Sequence, residues 1–227
     1  MTSSGDYIKH YEQFSKNVDF AVRTWHRHVH LNNRANDDPA ILAALNKAPN
    51  YWQDQNYIAV QTTFIFLGKI FDRDDRAYNV DKTLGAANDG KGHFSKTELR
   101  KRKVESGGEF EGIDEYIKSA NELSPEDLKK IGAEVDKARE IWERIRPLRN
   151  QIYAHNQMLS DAEREKLYKA ENNADINDIL QILLNISQAL FQAFHNGRRS
   201  DFSTNHTQPI EWAKQDIEEL ISSLLHL

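Results

Sequence analysis

Apolar residues recur at three- and four-residue intervals along most of this chain, and that spacing constrains its fold more than any other feature. Tyr7, Tyr11, Phe14, Val18, Ala21, Val22 and Trp25 form one stripe of a long first helix, because residues three and four apart share a helix face. Trp52, Tyr57, Val60, Phe64, Leu67 and Phe71 repeat the pattern between Asn50 and Phe71. The interior of that segment, Ile58 to Phe66, is β-branched enough to resemble a strand. Its length and the polar periodicity on either side favour a helix. Amphipathic helices are also expected from Asp175 to His195 and from Pro209 to Leu225. No segment alternates convincingly as a strand would, and no fixed-period repeat recurs. The expected class is all-α, an irregular helical bundle.

Turn and cap signals divide the remainder. Asn32 to Pro39 reads as a loop in which Asp38 caps a short helix running from Pro39 to Asn46. A short helix is expected over Val80 to Ala87, then a turn at Asn88-Asp89-Gly90-Lys91-Gly92. Ser95 opens a basic helix, Lys96 to Val104, and Glu105 to Gly112 has the composition of a linker. Residues 78–122 therefore read as a small insertion or mobile flap within a single domain spanning 1–227, a length that suits one sizeable core. Ser124-Pro125-Glu126-Asp127 is a strong helix start. That helix should run to Arg146, be kinked or restarted by Pro147, and continue through His155.

Charge and composition exclude several functions. A net charge of −5 and a pI near 6.0 argue against a general nucleic-acid binder with a broad basic surface. A small, local phosphate site remains compatible with them. With no cysteine there can be no disulfide or thiolate metal centre. The N-terminal residues lack the cationic and apolar regions of a signal peptide. The best apolar run, Phe64 to Leu67, falls far short of the ~20 residues that cross a bilayer. A cytoplasmic protein without membrane association is expected.

The segment Arg149-Asn150-Gln151-Ile152-Tyr153-Ala154-His155 carries the functional reading. Cleavage of RNA by its own 2′-hydroxyl needs a base for that proton, an acid for the 5′-oxygen, and positive charge where the phosphorane gains negative charge. Histidine titrates near neutrality and serves either proton transfer. Arginine presents a planar fork that matches phosphate oxygens. Asn150 could orient a phosphate, the histidine or the attacking hydroxyl. In a regular helix, Arg149 and His155 would lie roughly 120° apart around the axis. Either the Pro147 bend or a second subunit facing this helix would have to bring them together. A plainer account pairs Arg149 with Glu143 or Glu140 and sets His155 at a helix C-terminus.

Other clusters are weaker. His26 and His30 are spaced to share a metal on one helix face, with the carboxylates at 72–75 as distant partners, but a solvated face explains them better. The interleaved arginines of Asp72 to Arg76 suggest a neutralised helix end. Lys96, Arg100, Arg102 and Lys103 could contact an RNA backbone, with Tyr153 beside them as an RNA-binding residue. A solvated helix face accounts for the basic run equally well. His195 to Arg199 reads as a cationic helix terminus.

The block Arg149-Asn150-x-x-x-Ala154-His155 resembles the arginine, polar residue and spaced histidine signature of the HEPN superfamily. Phe71 to Arg76 followed by Tyr78 to Leu84, together with Tyr153-Ala154-His155, resembles the branch named for a phage abortive-infection protein of the U type. The likeness covers about residues 7 to 195. It implies a small, usually dimeric α-helical protein and a metal-independent endoribonuclease needing no cofactor. Arg149 and His155 then match the catalytic pair and Asn150 the polar position. It also implies RNA as substrate, a homodimer through the helix bearing Arg149 and His155, and a role in phage defence or a toxin–antitoxin system, with an antitoxin or regulatory protein as a further partner. One departure stands out: Gln157 occupies the place where nucleotidyltransferase-paired HEPN toxins carry a modified tyrosine. The competing reading is a non-catalytic helical module that binds a nucleotide or a partner.

Overall fold

The computed structural model describes residues 4–74, 76–154, 173–199, 201–202 and 204–226, with backbone alone at 4–5 and 153–154. Within these residues the chain forms α1 (Ser4–Asp37), α2 (Pro39–Leu45), α3 (Pro49–Ile70), α4 (Val80–Asp89), α5 (Lys96–Gly107), α6 (Ile113–Ser119), α7 (Pro125–Leu148), α8 (Asn173–Asn196) and α9 (Gln208–Leu225). A 3₁₀ turn (Lys91–Phe94) precedes α5, and a π turn (Arg149–Ala154) follows α7. No strand occurs among the described residues, so the fold is the expected all-α bundle. None of these helices is long and apolar enough to cross a membrane.

The organising element is α1, which packs against α3, α4, α8 and α9, while α7 packs against α8 and the π turn against both α3 and α7. Every residue of the sequence-read stripe from Tyr7 to Trp25 is buried. It meets Phe64, Leu67 and Ile70 of α3, Ile131, Val135 and Trp142 of α7, and the apolar face of α8 from Ile176 to Phe194 in one core. Burying each such large side chain contributes about 1.5–3 kcal/mol. Its polar tips are satisfied, since Trp25 Nε1 donates to Asn177 Oδ1 at 2.7 Å. A second, smaller core joins Leu31 and Ala35 of α1, Ile41 and Leu45 of α2, and Ile217 and Ile221 of α9.

Local chemistry sets most helix starts. Asp38 Oδ1 accepts from Ala40 N at 2.9 Å, with Pro39 in the first position. Ser95 Oγ accepts from Glu98 N, and Ser124 and Asp127 form a reciprocal capping box. The structure departs from the sequence reading at three places. Residues 32–37 are not a loop but the last turns of α1. There Asn32 Nδ2 donates to His28 O and Asn56 Oδ1, Arg34 pairs with Glu218 of α9, and Ala35 is buried in the second core. These long-range contacts override the loop-like composition. Second, α6 lies beyond the glycine-rich linker, started by Gly112 in a left-handed conformation at φ 84°. Third, α7 passes through Pro147 without restarting, reaches Leu148, and continues as the π turn rather than as a regular α-helix.

Within residues 80–120, α4 packs on α1, and the 3₁₀ turn and α5 pack on α8, with Val80, Ala87 and Phe94 in the main core and Leu99 buried near Gly197. Their tightest join is at Gly197, which ends α8 with φ 57° and accepts a 2.6 Å hydrogen bond from Asn121 N. A β-carbon there would lie 2.7 Å from both Ala120 Cβ and Leu99 Cδ2. Gly197→Ala should therefore destabilise the chain by about 2–4 kcal/mol, from left-handed strain plus overpacking. Denaturant titration would show this, and a variant as stable as wild type would contradict it.

His26 faces Lys214 and Glu211 of α9, and burial, aided by the Lys214 charge, lowers its pKa to about 4. Burial lowers His28 as well. The unfolded chain, with histidine near 6.5, then binds more protons than the folded one between about pH 6.5 and 4. Stability should fall as pH drops through that window and level off below it for this group. A Tm series should show a shallower acid slope for His26→Gln than for wild type. Parallel curves would count against this coupling.

Candidate active site

The π turn has a sequence cause. Pro147 supplies no N–H to the helix ladder, and a proline ring inside a helix crowds the carbonyl four residues before it. The α-helix runs one residue further and then widens into the i→i+5 register of Arg149–Ala154. The angle expected between Arg149 and His155 falls on a residue beyond Ala154, where the described segment ends. His155 itself, with Gln157 and the side chain of Tyr153, lies outside the described residues. Buried Leu148 and Ile152 anchor the turn in the main core. The end of α3 is fixed to α7 next to it. Phe71 stacks on Trp142 with ring centroids 5.7 Å apart, and Arg73 bridges to Glu143, which also pairs with Arg146.

Arg149 lies half-buried on this foundation, the Nε–Nη2 edge of its guanidinium close against Gly68 of α3. A β-carbon on Gly68 would be 3.0 Å from Nε, 3.2 Å from Nη2 and 3.3 Å from Cζ. Nη1 donates to Asn150 Oδ1 at 2.8 Å, so the neighbouring amide orients the arginine itself. The Nε–H is buried without an acceptor, a state that costs about 1–3 kcal/mol. Glu143, one partner considered from sequence, is engaged by Arg73 and Arg146 instead. Arg144, five residues earlier, pairs with Asp175. Arg149 has no carboxylate partner among the described residues. A fixed cation with unspent donors can take a phosphate or another oxyanion. Gly68 was not singled out from sequence. Its one signal was a glycine inside an apolar helical run, where it weakens the helix.

The basic residues of α5 are turned to other tasks. Arg102 donates to His93 O at 2.7 Å and Phe194 O at 2.8 Å, with its guanidinium 4.0 Å from the Phe194 ring centre, and burial lowers its pKa. Lys103 Nζ donates to Asn196 Oδ1 at 3.0 Å. Together they place positive charge at the C-terminus of α8, where carbonyls lack helical partners. Lys96 Nζ donates to Lys118 O, and Arg100 bridges to Glu109 and Asp114. None of the four adjoins Arg149 through any of these contacts.

The histidine and acidic clusters resolve similarly. His30 Nε2 lies 2.6 Å from Glu218 Oε1, and Arg27 pairs with Asp216, so this face of α1 holds α9. Among the described residues no three histidine, aspartate or glutamate side chains converge as a metal cage would require. Asp72 Oδ1 accepts from Asp74 N, and Asp74 caps and pairs with Arg76, which lowers the Asp74 pKa. Asp74 is thus neutralised by Arg76 just beyond the end of α3, while Asp75 lies outside the described residues.

No curated protein and no solved structure matches the chain significantly. A family model described as AbiU2, of the HEPN group, matches residues 4–219, which take in every helix from α1 through most of α9 and the whole Arg149 to His155 block. The chain belongs to the AbiU2 family of HEPN proteins.

Proposed function

We propose that this protein is a metal-independent endoribonuclease acting in phage defence or a toxin–antitoxin system. The observation that carries the reading is Arg149: oriented by Asn150, seated on Gly68 and without a carboxylate partner among the described residues. In the proposed reaction a base removes the proton from an RNA 2′-hydroxyl, whose oxygen attacks the adjacent phosphorus. The P–O5′ bond breaks, and the 5′-oxygen takes a proton from an acid. The products are a 2′,3′-cyclic phosphate and a 5′-hydroxyl, with no net redox change. Arg149 holds the phosphate and stabilises charge developing on its oxygens. His155 acts in proton transfer. Asn150 keeps the guanidinium in place through the 2.8 Å bond.

Purified protein should cleave labelled RNA in excess chelator. Arg149→Ala and His155→Ala should each lower the rate on the order of 10²-fold or more, and Asn150→Ala about tenfold through misplacement of the arginine. Undiminished cleavage by the Arg149 and His155 variants would overturn the assignment. Nucleotide-dependent thermal stabilisation with no RNA turnover would favour a binding module instead.

We further propose that the helix carrying Arg149 and His155 faces its copy in a homodimer, so that both subunits line one cleft. Light scattering should give twice the 26.3 kDa chain mass. An active protein that stays monomeric at assay concentration would exclude a shared site.

A further inference from the structure

We propose that Gly68 is a positioning residue for Arg149, its missing side chain forming the seat on which the guanidinium is aimed at an RNA phosphodiester. The kinetic part of this inference rests on the ribonuclease reading; the placement of the arginine does not. Glycine is a poor choice within a helix, and Gly68 lies near the C-terminal end of the 22-residue α3. Other glycines within helices behave differently. A β-carbon on Gly85 of α4 or Gly132 of α7 would meet nothing within 4 Å. At Gly68 the vacated volume is filled by Nε, Cζ and Nη2 of one side chain, Arg149.

That contact coincides with two other observations. The Arg149 Nε–H, whose nitrogen is the atom nearest a Gly68 β-carbon, is buried, and it has no acceptor among the described residues. The guanidinium is then fixed from two directions: Gly68 lies against its Nε–Nη2 edge, and Asn150 Oδ1 holds Nη1 at 2.8 Å. Nη2, which makes no hydrogen bond to the described residues, is left as a donor for a phosphate oxygen. A methyl group at position 68 would not strain α3, since the atoms it meets belong to the far end of a side chain that can move. It would push the guanidinium by a few tenths of an ångström, and a larger side chain would unseat it.

The signature is a split between stability and function. Gly68→Ala should keep or raise Tm, by about 2–4 °C through improved helix propensity. It should also lower kcat about tenfold with little change in KM, because roughly 1 Å of misplacement costs on the order of 10²-fold. Gly68→Leu should approach the activity of Arg149→Ala. Gly132→Ala is the control, expected to match the Tm gain without loss of turnover. The Arg149 Nε–H resonance, assigned by its absence in Arg149→Ala, supplies a readout independent of RNA. In wild type it should exchange slowly with water; in Gly68→Ala it should shift and exchange faster. An unmoved resonance in both Gly68 variants overturns the proposal, as does a loss of activity that merely follows a loss of Tm. If wild type does not cleave RNA, the ribonuclease reading fails, and the resonance alone decides whether Gly68 positions Arg149.

Discussion

The whole bundle depends on the buried stripe of α1. That helix touches α3, α4, α8 and α9, so each of them is placed by the same run of residues from Tyr7 to Trp25. A stripe this broad, with bulky Tyr7, Phe14 and Trp25 fully enclosed, fixes the rotation of α1 about its own axis. The rotation of α3 against it follows from Phe64, Leu67 and Ile70 facing the same core. Gly68, between two of those core positions, is thereby turned to the flank of α3 where the π turn packs. The site is thus a consequence of how two long helices are phased, and only secondarily of the loop chemistry around it.

What could be read from sequence was what local chemistry decides. Asp38 before Pro39, Ser95 before Lys96 and the Ser124–Asp127 pair each satisfy orphan backbone donors within three residues of themselves, and each marks a true helix start. The α1 stripe was legible because its periodicity runs unbroken through about five turns. Residues 32–37 were misread because their helical state rests on Asn56 of α3 and Glu218 of α9, 24 and 184 positions away from Asn32 and Arg34. The short helix α6 was missed because its few residues carry too little periodicity to register beside the glycines that precede it.

The same division holds at the site. Arg149 and Asn150 were legible as chemistry, because an arginine beside an amide is informative without knowing the fold. Their mutual hydrogen bond was not, since Asn150 had equally good reasons to face a phosphate or a histidine. The basic residues of α5 show the converse. Their density suggested nucleic acid, yet Arg102 and Lys103 serve the C-terminus of α8, a helix almost a hundred residues later. A charge run reports a need for charge and does not say whose.

Two local costs coincide where α3 meets the π turn. One is a glycine where nearly any other residue would make a better helix; the other is a guanidinium N–H buried without an acceptor. Each by itself is an ordinary imperfection of a folded chain. Their meeting at one contact is informative because each relieves a constraint on the other: without a β-carbon the arginine can lie close, and lying close is what buries its Nε–H. Replacing Gly68 by alanine and Arg149 by an apolar residue would improve helix propensity and remove the orphan donor together. Packing alone therefore gives no reason for this pair, and a requirement for a cation held in place, half-buried and without a carboxylate partner among the described residues supplies one.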